Sequence, residues 1–385
     1  MNNVCIELDE VVSRIKIDHE IKKKIEEPLS INIFTTNINE GKSTTGLNGQ
    51  FIFCQILIDC LLQLKYTETD KNEFISICKN EYYGNSNELN NLDEFEEEYS
   101  SSKVLWWYTR ESFFYRTLNA ALRTLNIHMI FLFRQFILDI HHQLYNDQVN
   151  TPLQVYRSQM MSTDELDDLK RNIGQFISVH SFFSTSKNRR TALFFLGDTN
   201  SLINLKLECV LFEIDADPEM VRTKPFADIS KYSHFPNESE VLFMIGSIFR
   251  LNNIYYNNNE QIWIIQMSLC NDDDYRLKQV LLHMEQQIGN EDINLRTLAY
   301  LLWNMGKLHL ALKYFQRLLN ELLPNDPLIF NLYQDLAKIT SQLGDYDTSI
   351  QWHQKYLQPI YNNKSIGKLH INQSIRKLYI IYFRY

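Results

Sequence analysis

Apolar residues recur three and four apart from Phe51 to Leu64, from Phe74 to Cys78 and from Val104 to Leu144. That is the period of helices that bury one face, so the spacing predicts a helical block reaching Tyr145. After Asn150-Thr-Pro152 the pattern changes to short β-type runs divided by turn residues: Leu153–Arg157, Gly174–Ser181, Leu205–Ile214, Glu240–Phe249 and Gln261–Ser268. One helix is expected among them, around Arg189 to Phe195, and Asn252-Asn253 and Asn257-Asn-Asn259 are expected to be loops. Residues 1–50 read as a polar lead-in with a single β-branched run, Ile31-Asn-Ile-Phe-Thr-Thr36.

The last part of the chain repeats itself. With Gly306 set against Gly344, Leu298 falls on Leu336, Ala299 on Ala337 and Leu301 on Ile339. Past the glycine, Leu308 falls on Tyr346 and the small Ala311 on Ser349. A turn glycine with a small residue facing it resembles the tetratricopeptide helical hairpin, whose usual period is ~34 residues. Here Leu323-Pro-Asn-Asp-Pro327 absorbs the excess as a longer loop, and a partial third repeat is expected over Ile360 to Tyr385. The whole predicts an α+β protein. A polar segment (1–50) precedes a unit at 51–275, made of a helical subdomain (51–150) and a sheet (151–275). An all-α array occupies 276–385.

Composition narrows the function. A length of 385 residues, 44% hydrophobic and 22% charged, suits two or three globular units. The net charge of -9 argues against a nucleic-acid partner, which needs a basic face. The apolar stretches Phe51 to Leu64 and Ile127 to Ile140 are short for a membrane span and carry Asp59, Arg134 and Asp139. The start of the chain lacks a signal-peptide pattern, and six dispersed cysteines with no CxxC pair fit reduced thiols. A cytoplasmic location, with no membrane partner, is the expectation.

Three stretches in the sheet region carry candidate chemistry. Arg157 ends a β-type run, which alone suits a surface ion pair. Ser184-Thr185-Ser186 follows an apolar run, which alone suits a strand edge and a helix cap. Glu238-Ser-Glu240 leads into Val-Leu-Phe243, and on extended backbone its two carboxylates point the same way. A carboxylate at the edge of an apolar run is unusual unless it is paired or used.

Taken together, Arg157, then Ser184, then Glu240, each beside a strand, resemble the R-S-E class of ADP-ribosyltransferases. Their signature is an arginine on the first strand, Ser-Thr-Ser on a middle strand and Glu-x-Glu at a later one. The likeness extends over Phe176–Ser186, Ala192–Phe195 and Glu238–Phe243 and covers roughly residues 51 to 270. It implies a split β-sandwich that uses NAD as co-substrate, without a metal, and passes ADP-ribose to an arginine of an acceptor protein. By the same resemblance Glu240 stabilises the cationic ribose, Glu238 meets the incoming guanidinium, and Ser184 holds Glu240 and the ribose. Arg157 meets phosphate oxygens or the adenosine side, with Ser158, Thr185 and Ser186 also against NAD. The family commonly has glycine after the strand arginine; Ser158 stands there, and its Cβ would narrow the pocket. Phe194 or Phe195 is expected either under the nicotinamide ring or in helix core.

Other signals lead elsewhere. Gly41-Lys-Ser-Thr44 lacks the glycine a phosphate loop needs five residues earlier, where Thr36 stands. No GxGxxG fingerprint or HExxH spacing occurs. Two rival functions fit the same organisation: an inactive scaffold whose tetratricopeptide-like helices bind a peptide or protein, and an NAD glycohydrolase with water as acceptor.

Overall fold

Thr67 opens a helix by a capping box: its hydroxyl accepts the Asp70 amide, and Asp70 accepts the Thr67 amide. That helix is the second of six ahead of the main sheet strands in a computed structural model, which describes residues 31–34, 47–196, 207–220, 223–270 and 293–362. They are α1 (Leu47–Gln63), α2 (Glu68–Glu81), α3 (Ser86–Glu98), α4 (Val104–Thr109), α5 (Phe113–Arg123) and α6 (Ile127–Asn146). The apolar faces of α2 to α6 meet in an aromatic cluster, with Phe136 5.2 Å from Phe74 and 5.6 Å from Phe114 between ring centres, while Phe51 of α1 lies 5.4 Å from Phe34 near the sheet edge. On α3 the acidic run keeps Asp93, Glu96, Glu97 and Glu98 exposed while Leu92 and Phe95 are buried. One ion pair lies inside: Arg134 of α6 bonds Asp70, and its guanidinium sits 3.9 Å from the Phe131 ring centre. No helix among the described residues is long and apolar enough to cross a membrane.

The strands are β1 (Ile31–Phe34), β2 (Leu153–Ser162), β3 (Phe176–Val179), β4 (Phe183–Ser186), β5 (Leu207–Ala216), β6 (Phe226–Asp228), β7 (Glu240–Phe243), β8 (Ile248–Asn257) and β9 (Ile262–Leu269). Two short helices stand among them, α7 (Thr163–Arg171) and α8 (Arg189–Phe194). The strands form one mixed sheet in the order β1-β3-β8-β9-β5-β2-β4-β7-β6, with β5 and β9 parallel and every other pair antiparallel. Four strands separate β7 from β8 in this order. Even so, the ring centres of Phe243 and Phe249 are only 5.4 Å apart, and those of Phe183 and Phe249 5.7 Å. The sheet therefore folds back on itself into two facing layers, with Val155, Phe183, Phe212, Val241, Phe243 and Phe249 in the core between them.

Several sequence expectations change. The run Glu240–Phe249 is two strands, because the chain turns at Gly246, whose φ is +80°. The turn's only polar residue, Ser247, is buried with Met244 and Ile245, and its hydroxyl donates to the Met244 carbonyl at 2.7 Å. Asn252 and Asn253 lie within β8, at a bulge between Leu251 and Asn253, rather than in a loop. The Gly41–Thr44 stretch lies outside the described residues.

Among the described residues, contacts form two compact units, one within 31–58 and 66–270 and the other within 59–65 and 293–362. The second contains two helix pairs, α9 (Leu295–Asn304) with α10 (Leu308–Glu321), and α11 (Leu328–Gln342) with α12 (Tyr346–Asn362). Gly306 and Gly344 turn each pair at positive φ, +72° and +81°. The small Ala311 and Ser349 are buried at matching places. Asp335 of α11 links the two pairs, accepting from Arg296 Nε at 2.8 Å and the Tyr300 hydroxyl at 2.5 Å. Residues 363–385, where the partial third repeat was expected, lie outside the described part.

Candidate active site

β4 and β7 pair antiparallel with Ser186 opposite Glu240 and Ser184 opposite Leu242. Alternation along each strand sends Phe183, Val241 and Phe243 into the apolar core and leaves Ser184 and Glu240 together on the other face. Ser184 Oγ donates to Glu240 Oε1 at 2.6 Å. The other two hydroxyls bond main chain: Thr185 Oγ1 donates to the Val241 carbonyl and Ser186 Oγ to the Glu238 carbonyl, both at 2.8 Å. The expected cap is elsewhere, since Asn188 accepts the first amides of α8.

Arg157 stands inside β2, which continues to Ser162, rather than at its end. β2 runs alongside β5 for its whole length, but its pairing with β4 consists of Tyr156 opposite Ser186 alone. Arg157 bridges the opening that results. Its Nη1 donates to the Ser184 carbonyl at 2.9 Å, and its guanidinium lies 5.6 Å from the Phe183 ring centre. Ser158 Oγ donates to the Ala192 carbonyl, tying β2 to α8.

Glu238 departs from the expected extended geometry. It ends a 3-10 turn, Pro236–Glu238, and Ser239 follows in the left-handed region at φ 50°, ψ 46°. The two carboxylates are thus set by a tight turn instead of a strand repeat. Both still line one cavity of about 340 Å³, together with Arg157, Ser158, Ser184, Thr185 and Ser186. The volume falls within the usual range of small-molecule sites.

Burial dominates the electrostatics. Glu240 is 7% exposed. Desolvation pushes its carboxyl up to about 7, and the nearby Glu238 adds to the rise; the Ser184 bond, Arg157 and the Ser233 side chain oppose it. Glu238 is also raised, by partial burial and then by the charge of Glu111. A buried carboxylate that titrates near neutrality beside a fixed guanidinium can stabilise a cation and bind a sugar hydroxyl.

The helical block supplies the wall that sequence reading missed: Tyr108, Thr109, Glu111, Tyr115 and Arg116 line the same cavity. Their signal was a tyrosine on either side of a charged break, Arg110-Glu-Ser112, in an otherwise apolar stretch. Phe235 and Phe195 complete the mouth. Phe194 and Phe195, expected beneath the ring or in core, are 82% and 50% exposed. The two-turn α8 buries Ala192 instead.

No protein-family model and no curated protein matches the sequence. Solved structures similar to the chain include ADP-ribosyltransferases. Plx2a, an ADP-ribosyltransferase toxin from Paenibacillus larvae, is 17% identical over 52% of this chain and 97% of that one, with a TM-score of 0.35. HopU1 of Pseudomonas syringae is 15% identical over 53% and 98%, at 0.36. The Vis toxin from Vibrio Splendidus is 20% identical over 56% and 92%, at 0.35.

Proposed function

We propose that the chain is an NAD-dependent mono-ADP-ribosyltransferase with arginine side chains as acceptors. The observation that carries this reading is the Ser184–Glu240 hydrogen bond, set in one cavity with Arg157 and Glu238. As the bond between nicotinamide and ribose C1′ breaks, its electron pair leaves with nicotinamide and positive charge gathers on the ribose. Ionised Glu240 stabilises that charge and accepts from a ribose hydroxyl. Arginine reacts only when a carboxylate orients it and removes a proton. Glu238 fills that role, because its raised affinity for protons suits it to take one as a guanidinium nitrogen bonds to C1′. Arg157 offers donors to the anionic part of NAD.

Transfer of labelled ADP-ribose to agmatine tests this reading. Glu240→Gln should abolish both transfer and nicotinamide release. Glu238→Gln should lower transfer by roughly 100-fold or more while hydrolysis survives. A folded wild-type chain that neither cleaves NAD nor modifies agmatine would overturn the proposal. The repeated helix pairs are read as tetratricopeptide-like hairpins that select the target protein. Deleting residues 276–385 should leave agmatine modification intact and weaken that of the protein target; equal loss of both would reject the division of labour.

A further inference from the structure

Between β6 and β7 the chain leaves the sheet at Ile229 and returns at Glu240, closed at the base by the Ile229 amide donating to the Glu240 carbonyl at 3.0 Å. Phe235 and Glu238 on this excursion line the cavity, and the Ser233 side chain bonds Glu240. The segment's only regular structure is the short turn Pro236–Glu238, so its position depends on what grips it.

The main grip comes from Asp147, the C-cap of α6. One carboxylate oxygen accepts from Lys231 Nζ at 2.5 Å and the other from the Tyr232 hydroxyl at 2.6 Å. The next residue, Gln148, forms a β-bridge with Ala227 of β6, so the clamp is mounted on the sheet edge. A second grip lies just beyond, where the His234 amide donates to Thr109 Oγ1 at 2.8 Å. Burial would raise the Asp147 carboxyl, but its bonds to Lys231 and Tyr232 outweigh that and hold it below the usual range.

We infer that Asp147 is a positioning residue for Glu238: by clamping Lys231 and Tyr232 it sets the balance between transfer to a guanidinium and hydrolysis by water. This rests on the transferase reading. Besides its bond from Ser233, Glu240 is held from outside the segment, paired with Ser186 in the sheet and bonded by Ser184. Glu238 has no strand pairing of its own, although the Ser239 carbonyl after it accepts from the Lys187 amide at 3.1 Å. Its amide reaches the Phe235 carbonyl at 3.2 Å, its carbonyl accepts from Ser186, and the left-handed Ser239 follows. A serine in that region is strained and stays there only while its surroundings hold it. Release of the clamp loosens the turn that carries Glu238, while strand pairing keeps Glu240 in place.

The test compares Asp147→Asn with wild type in the full chain, measuring agmatine modification, nicotinamide release and amide hydrogen exchange over residues 231–239. The ratio of transfer to hydrolysis should fall roughly tenfold or more, in the direction of Glu238→Gln, with nicotinamide release within about twofold. Exchange over the segment should rise. If Asp147→Asn disturbs α6, Tyr232→Phe combined with Lys231→Met removes the same two bonds from the other side. Faster exchange with an unchanged ratio would overturn the positioning role, and no change in either readout would show the clamp idle. Failure of the transferase reading would appear separately, as wild type that releases no nicotinamide.

Discussion

Glu240→Gln should abolish NAD cleavage and stabilise the protein at once. In the folded chain the carboxyl titrates at about 7 instead of 4.5, chiefly through burial. The folded state therefore holds this proton more tightly than the unfolded chain, and ionisation opposes folding. Below the unfolded value both states are protonated and the effect vanishes. As pH rises from 4.5 towards 7 stability falls, and above 7 the loss is complete. At ~1.4 kcal/mol for each pKa unit, the full loss is about 3 kcal/mol. Glutamine keeps the shape and an oxygen that accepts from Ser184, without the charge. Apart from a constant offset for the amide, its advantage over wild type should grow from near zero at about pH 4.5 to about 3 kcal/mol at about pH 8. Urea unfolding at both pH values measures it, and native-state exchange at the Val241 and Leu242 amides assigns it to the sheet. An advantage independent of pH would refute the reasoning.

Ser184→Ala removes the strongest influence holding the Glu240 carboxyl down, so the rising limb of NAD hydrolysis against pH should move to higher pH. The rate should fall roughly 100- to 1,000-fold, and an unmoved limb in the pH–rate profile would show that Ser184 does not govern this titration. Gly246→Ala places a Cβ 3.1 Å from Ile58 Cδ1 and Lys224 Cε, at a φ of +80°. Urea unfolding should register ~1–3 kcal/mol of lost stability. Wild-type stability would mean that the neighbours yield.

Helices and strands were legible wherever one face is buried and the other wet. The run Glu240–Phe249 misled because its turn is as buried as its strands, so burial alone marks no boundary between them. Ser184-Thr185-Ser186, read alone, suited a strand edge and a helix cap, while the family resemblance put them on a middle strand. They belong to a strand because Thr185 and Ser186 spend their hydrogen bonds on β7 and the turn before it. The residues Arg157, Ser184, Glu238 and Glu240 could be singled out by type and order, and they do meet in one cavity. Tyr108, Glu111 and Tyr115 could not, because they reach that cavity across a helix break that spacing cannot span.

The paired strands give the site a reading frame. Along β7 the phase is fixed: Val241 and Phe243 point into the core, Glu240 and Leu242 away from it. Removing one residue inside β7 would invert that phase and turn a carboxylate towards Phe183 and Phe249. The connections between strands carry no phase, so the stretch separating Ala216 from Phe226 can change length by odd or even steps with the facing of Ser184 and Glu240 preserved. Directed variation of this protein should therefore move in steps of two within strands and in single steps between them.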